Sequence, residues 1–556
     1  MFHSTALFIY TIMGALIITS ALFLLWSYRR YRSVCKKYSI IPYGREQFIP
    51  PILCSYLPEF LIPKDWGKRL GENLAPKTFA KFMRESGYDK VYKVVLGIFN
   101  QGIVVIGDSD FLKDVATKKL TVKGNELNST VQELFGGSNV FTETEYEVWH
   151  RHRKILEPSF SPSSLALVAE VTTNVVLNEL IPRITENGYR REVDKDFSSL
   201  TLDVIGRAGF NYSFNSFASH DNSSLTAQTQ TLFHMLPLYE LFPKFIRDHI
   251  GIFPHKPAKD IASRFTDAIQ KIIQNRTAHS EMEYHDILSI LLQARDEGKK
   301  NNESDSMTDE ELISNCFVLL IAGHETTAKT LGFALYLLAS SKDAQERLHK
   351  FIDQDYPALY GKDTFDFADY QAGRLDYVKA IVKETLRLFP PVIAAMRELT
   401  KPYTYKGYHL PKGFRVAASW QLMHRDEKYW PEPDEFIPER FLKKKKEDKL
   451  QEEKHQDDKP ELVTPQEFIS TPKMEVTCFN PHIAVHNNPF AYAPFGIGNR
   501  ICIGRNFAEV EAVIALALLA KHFKFSISEN YKMELDMFLT LRPRDTLYIN
   551  FEKKQK

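Results

Sequence analysis

Cysteine is scarce in this chain of 556 residues. There are five, Cys35, Cys54, Cys316, Cys478 and Cys502, and no Cys-x-x-Cys. An odd number at wide spacing argues against a disulfide framework and for a reducing surround. A Cys-rich zinc module needs ligands at short spacing, which none of these cysteines has. Charge of one sign is also missing. Lys and Arg number 71 against 70 Asp and Glu, a net charge of +1. No global field therefore points to nucleic acid or to an acidic partner. No tandem repeat occurs. The nearest approach to a dinucleotide fingerprint is Gly496-x-Gly498, and it fails because position 501 is Ile.

One absence is local. Ala6 to Trp26 contains no Asp, Glu, Lys or Arg. A helix of that length spans about 31 Å, enough for the hydrocarbon core of a bilayer. A cleaved signal peptide carries its positive charge ahead of the apolar run. Here Arg29, Arg30, Arg32, Lys36 and Lys37 follow it. The expectation is a signal anchor over 1–28, with a transmembrane helix over about 6–26 and the remainder on the cytosolic side. Pro42, Pro50, Pro51, Pro58 and Pro63 then mark 29–65 as a basic, Pro-rich linker. The rest, 66–556, reads as one large domain, and 44% hydrophobic residues suffice for its interior.

Within that domain, Val91–Phe99 and Ile103–Ile106 read as a β-hairpin turning at Asn100–Gly102. Trp149 and Arg153, four apart on a basic helix, share a face. They can donate together to a carboxylate or simply form a surface pair. Thr308-Asp-Glu-Glu311 is a capping box opening a long apolar helix, Leu312 to Leu338. Inside it, Gly323 and the adjacent Thr326 and Thr327 are poor helix-interior residues. Their hydroxyls can bond back and widen the helix locally, with Glu325 beside them. Glu384-x-x-Arg387 ends a helix stopped by Pro390-Pro391 and is by default a surface ion pair. Lys443 to Lys459 is almost wholly charged, so a solvated insertion is expected over about 443–460.

The richest stretch is Phe495-Gly-Ile-Gly-Asn-Arg-Ile-Cys-Ile-Gly504, followed by a helical apolar run from Phe507 to Ala520. Glycines ahead of a helix let the backbone approach a ligand closely. A cysteine there is stabilised as a thiolate by N–H groups and by the helix N-terminus. Such a thiolate can be a nucleophile, a metal ligand or a redox centre, and a buried structural cysteine is the plain alternative.

This stretch, Phe-x-x-Gly-x-Arg-x-Cys-x-Gly, resembles the haem-binding loop of the cytochrome P450 superfamily. Ala322-Gly-His-Glu-Thr-Thr327 resembles that family's oxygen-activation motif. The resemblance implies a mainly α fold with small β-sheets, preceded here by the N-terminal transmembrane helix. It implies haem b with Cys502 as axial thiolate ligand of the iron. Trp149, Arg153, Arg397 and Arg500 would serve the cofactor, the first three at its propionates. Thr326 would hydrogen-bond the bound oxygen, and Glu325 would relay protons. Glu384, Arg387 and Arg440 would form a structural triad near the thiolate side.

The activity implied is insertion of one atom of O₂ into an organic substrate. With no flavin or nicotinamide fingerprint in the chain, electrons would come from a membrane-bound NADPH–cytochrome P450 reductase. The expected place is the endoplasmic reticulum membrane, single-pass, with the catalytic domain cytosolic; Lys553 and Lys554 resemble a dilysine retrieval signal. Substrate-contact regions by analogy are 121–140, 211–255, Leu319–Thr327, 392–396 and 536–541. They favour a lipophilic or compact heterocyclic molecule, such as a fatty acid, a sterol, an aromatic amino-acid derivative or a cyclic dipeptide of secondary metabolism. A haem-thiolate isomerase or dehydratase acting on peroxides, and a non-catalytic haem sensor, are the alternatives. Neither needs the Glu325–Thr326 pair. Sequons stand at Asn128, Asn211, Asn222, Asn275 and Asn302.

Overall fold

The computed structural model describes residues 25–26, 28–41, 44–47, 91–96, 101–124, 132–186, 188–218, 228, 231–232, 255–278, 286–301, 306–355, 359, 361–442, 488–537 and 540–554. Most of the apolar N-terminal run, the charged stretch 443–460, most of 232–254 and the sequons at Asn128, Asn222 and Asn302 lie outside these residues.

The architecture is mainly helical with small sheets at one side. Six helices position the site: α1 (Tyr146–Leu156), α2 (Pro162–Val175), α3 (Val193–Phe210), α4 (Asp309–Ser340), α5 (Asp376–Leu388) and α6 (Arg505–His522). Their termini follow from local chemistry. Thr308 accepts from the Glu311 N–H, and the Glu311 carboxylate accepts from the Thr308 N–H, so the capping box is formed. At the C-terminus of α3, Asn211 takes a left-handed φ of 47° and its N–H reaches the Arg207 and Gly206 carbonyls.

The two central helices are buried over most of their length, which marks them as interior. Along α6, Val510 and Ala512 through Ala520 are buried. Along α4, Phe317, Leu331, Ala334, Leu335 and Leu338 are buried. Helix α3 crosses α4 closely at Gly323. A Cβ there would come 3.4 Å from the Ile205 side chain, so a larger residue would push the helices apart.

The strands are β1 (Gly44–Gln47), β2 (Val91–Leu96), β3 (Gln101–Ile106), β4 (Thr121–Lys123), β5 (Arg190–Glu192), β6 (Ala394–Leu399), β7 (Tyr403–Tyr405), β8 (Tyr408–Leu410), β9 (Arg415–Ser419), β10 (Phe523–Ser526), β11 (Leu535–Met537), β12 (Leu541–Pro543) and β13 (Tyr548–Lys553). The largest sheet has the order β1-β2-β3-β9-β6-β4. The hairpin β2–β3 is present, but its second strand begins at Gln101. Gly102 is therefore a strand residue, not a turn residue. A Cβ on it would lie 2.4 Å from the Tyr38 ring, so glycine is needed there for close approach.

The same tyrosine revises the linker expected from residue 29. Residues 28–37 are helical. Tyr38 and Ile41 are 3% and 0% exposed within the core of the large sheet, and Tyr38 stacks on Phe414 with centroids 4.5 Å apart. Strand β1 then pairs in parallel with β2. An aromatic residue after a basic helix had a sheet to dock on, which the proline count did not reveal.

Candidate haem-thiolate site

Ahead of α6 the chain makes tight turns that aim one sulfur. Gly496 and Gly498 have φ of 75° and 68°, a region costly for L side chains. At Gly498 a Cβ would also sit 3.3 Å from the Ala116 Cα. The Gly496 N–H donates to Ala493 O (2.9 Å), Ile501 N–H to Gly498 O (3.0 Å), and Cys502 N–H to Phe495 O (2.9 Å). Burial pushes the Cys502 thiol up, while the Gly504 N–H, Arg153 and Arg505 pull it back towards the thiolate. By surface area Cys502 is an exposed residue, not a core one. Among the described residues no trio of His, Cys, Asp or Glu is placed to hold a bare metal ion.

Around this loop several cations gather, with Glu143 acting on Arg500 and Glu157 on Arg153. The Arg500 guanidinium lies 4.0 Å from the centre of the Trp149 ring and donates from Nη1 to Glu143 O at 2.9 Å. Arg153 Nη1 donates to Ile501 O at 2.6 Å, so α1 meets the loop through both of its singled-out residues. Arg397 on β6 pairs directly with Lys123 on β4. Burial, Arg397 and Arg500 hold the Lys123 ammonium well below its ordinary value, and no carboxylate opposes them. Burial and Arg397 bring Arg500 down to about 10. Lys123 Nζ sits 3.7 Å from the Phe141 ring centre. Lys123, Arg397 and Arg500 thus form a desolvated group of like charges, which an anion placed among them would stabilise. A ligand bearing two carboxylates beside a metal that accepts a thiolate fits this set. Haem is such a ligand.

On α4, Ala322 is accessible and Thr326, one turn on, partly so, while His324, Glu325 and Thr327 are buried. The Thr326 hydroxyl donates to Ala322 O at 2.8 Å, and Thr330 to Thr326 O at 2.9 Å. These back-bonds do not widen the helix, which runs unbroken from Asp309 to Ser340. A carbonyl oxygen has two lone pairs and accepts the extra bond beside the helical one. Glu325 does not lean along the helix towards Thr326. Its Oε1 accepts from the Thr540 hydroxyl at 2.8 Å, and Oε2 has no partner among the described residues. Burial raises the Glu325 carboxyl, against Lys329, Thr540 and Arg542. His324 is buried with both ring nitrogens unpartnered. Burial and Lys329 lower it to about 3, so it is neutral.

Glu384, Arg387 and Arg440 come together in the interior, not at the surface. Glu384 and Arg387 are both 0% exposed. All five Arg387 N–H donors are used: Nε and Nη2 on Glu384 (2.7 and 2.8 Å), and the others on His424 O, Pro433 O and Glu435 O (2.8, 2.6 and 2.9 Å). Arg440 Nε stands 3.4 Å from Glu384 Oε1. From His424 the network reaches the cysteine loop, because the Ala493 N–H donates to His424 Nε2 at 3.0 Å. Burial lowers the His424 imidazole to about 3. It is therefore neutral, with its proton on Nδ1.

Reading the sequence placed Lys123 and Thr540 only within broad substrate-contact stretches, 121–140 and 536–541, and did not single out His424 at all. Each meets its partner only through the tertiary fold, and none belongs to a local motif.

A cysteine loop on a helix N-terminus, a desolvated cation group and a Glu–Thr pair on a central helix define a haem-thiolate oxygenase. Residues 71–551 match the family model Cytochrome P450. The chain belongs to that family; it is an enzyme of the P450 monooxygenase class, and its cofactor is haem held by a cysteine thiolate. It is 27% identical over 469 residues to Cytochrome P450 3A7 of Homo sapiens, covering 81% of this chain and 82% of that protein. It is 27% identical over 452 residues to Cytochrome P450 3A13 of Mus musculus, covering 78% and 79%. It is 28% identical over 442 residues to Bifunctional cytochrome P450/NADPH–P450 reductase 2 of Bacillus subtilis (strain 168), covering 76% of this chain and 36% of that protein.

Proposed function

We propose that the protein inserts one oxygen atom from O₂ into a lipophilic or compact heterocyclic small molecule, using electrons from an NADPH-dependent reductase. The observation that carries this reading is the Thr326 hydroxyl on the accessible stripe of α4, with the buried carboxyl of Glu325 beside it. When bound, haem supplies the oxygen chemistry, in which two electrons and two protons leave one atom in the substrate and one in water. Cys502 would serve as its thiolate ligand. Trp149, Arg153, Lys123, Arg397 and Arg500 would hold its propionates and set its orientation.

The proton supply is the protein's part. Thr326 would hold a water beside the bound oxygen, and Glu325, whose carboxyl is raised by burial, would supply protons to it. Exposed apolar side chains include Val392, just ahead of β6, and Met396 on it, at 41% and 46%, and Phe141 at 44%. Exposed apolar groups suit lipophilic carbon; amino-acid-derived or cyclic dipeptide substrates of secondary metabolism, fatty acids and sterols share that property. The relative whose name joins a P450 to its reductase supports an NADPH-linked electron source, here a separate partner. Residence in the endoplasmic reticulum membrane through the N-terminal apolar run completes the reading.

The test is Thr326→Ala in a system reconstituted with reductase. Haem content and substrate affinity should stay near those of the parent. The ratio of product formed to NADPH consumed should fall, because general acid assistance is typically worth ~10²–10⁴ in rate. An unchanged ratio would remove Thr326 from proton delivery. Turnover of a hydroperoxide without reductase would point to the isomerase reading instead.

A further inference from the structure

Glu325 is tied to a residue 215 positions further on, Thr540, whose hydroxyl donates to Oε1 at 2.8 Å. Both residues are more than nine-tenths buried, Glu325 at 8% and Thr540 at 5% exposed. The second oxygen, Oε2, has no partner among the described residues. The two oxygens are therefore not equivalent. Oε1 is committed as an acceptor, and a proton placed on it would compete with the Thr540 O–H.

We propose that Thr540 is a positioning residue for oxygen activation: it directs the proton carried by Glu325 onto Oε2 and joins that carboxyl to the end of the β11–β12 hairpin. This rests on the reading of Glu325 as the proton source. Thr540 immediately precedes β12, within the 536–541 stretch proposed to meet the substrate. A substrate that shifts this end of the hairpin changes the hydrogen bond on Glu325 directly.

The charges around the carboxyl are few. Lys329 lies one turn along α4, and its Nζ is paired at 2.9 Å with Asp194 on α3. Arg542 faces from β12, and Thr540 precedes it. Lys329 and Arg542 favour the carboxylate, Asp194 disfavours it, and burial outweighs them. Among the described residues the Thr540 bond is the one direct hydrogen bond that receives the carboxylate once Oε2 has given up its proton. Reprotonation from solvent restores the starting state, so no charge accumulates over a cycle.

The experiment uses the full-length haem-loaded protein and infrared difference spectra across pH. The C=O stretch of protonated Glu325 is assigned by its loss in Glu325→Gln. In Thr540→Val that band should move to higher wavenumber, because its carbonyl oxygen loses a donor. Its titration midpoint should move to higher pH, because the ionised form loses a hydrogen bond. Thr540→Ser should restore both. With reductase and NADPH, the product-to-NADPH ratio should fall severalfold in Thr540→Val and recover in Thr540→Ser. A band and midpoint unmoved by Thr540→Val overturn the proposal, as does a Glu325 carboxyl never protonated in the working range. If both move as stated but Glu325→Gln keeps the parental ratio, the Thr540 link stands and the proton-source reading fails.

Discussion

Glu511 is fully buried on α6, and neither carboxylate oxygen has a partner among the described residues. Burial alone holds its carboxyl well above the ordinary value of 4.5. A folded-state value above the unfolded one means stability is fully present below the unfolded value. It is lost as pH rises towards the folded value, because only the unfolded chain then gains by ionising. Glu511→Gln removes that titration. The variant should therefore gain on the parent as pH rises from about 5 to about 8, by on the order of one to a few kcal/mol at the upper end. Melting temperatures measured across pH check it; a difference that is flat with pH means Glu511 is ionised in the folded protein. The sequence showed an apolar run from Phe507 to Ala520, and nothing in it singled out Glu511. Cys502 and Arg500 were legible because their motif is contiguous. Lys123 was not, because a short strand brings it to Arg397 from the other side of the chain.

At the level of elements, long periodic segments were readable and their partners were not. The capping box at Thr308 and the helix before Pro390 stand where the pattern put them. Glu384 and Arg387 had the spacing of an ordinary surface pair. Their burial comes from the segment 424–440 folding over the end of α5, where Arg387 takes carbonyls from His424, Pro433 and Glu435. That makes the guanidinium a joint between α5, this segment and, through His424 and Ala493, the cysteine loop. Arg387→Ala leaves Glu384 buried and its charge half-compensated, a loss of about 3–5 kcal/mol. Arg387→Lys should rescue little, since an ammonium has three donors and no planar fork to serve five acceptor contacts. The readout is the ratio of the ferrous–CO Soret absorbance to total protein, together with the melting temperature. A lysine variant with parental haem content and melting would show that charge alone holds this joint.

For the whole molecule, the question is where the domain stops and the membrane attachment starts. The described helix 28–37 leads straight into Tyr38 and Ile41, which are core residues of the large sheet. Removing Tyr38 and Ile41 should therefore damage the fold, whereas a deletion that stops at residue 28 should not. Leu25, Trp26 and Tyr28 are 49%, 52% and 48% exposed, so the domain does not bury the apolar end it carries. Exposed aromatics beside a basic helix are what a bilayer interface accommodates; Arg30 lies 4.7 Å from the Trp26 ring. Removing residues 1–28 should release much of the protein from membranes in carbonate extraction. The released protein should keep its haem, its ferrous–CO band and a melting temperature close to the parent's, because the core from Cys35 onward is untouched. Removing residues 1–41 should release protein too, but with a lower melting temperature, since the Tyr38 stack on Phe414 and the Gly102 contact are lost. Low-salt binding that high salt or carbonate reverses would mark peripheral contact by the domain itself. A 1–28 deletion that stays resistant to carbonate would place the anchor elsewhere in the chain, and the N-terminal run would then need another role.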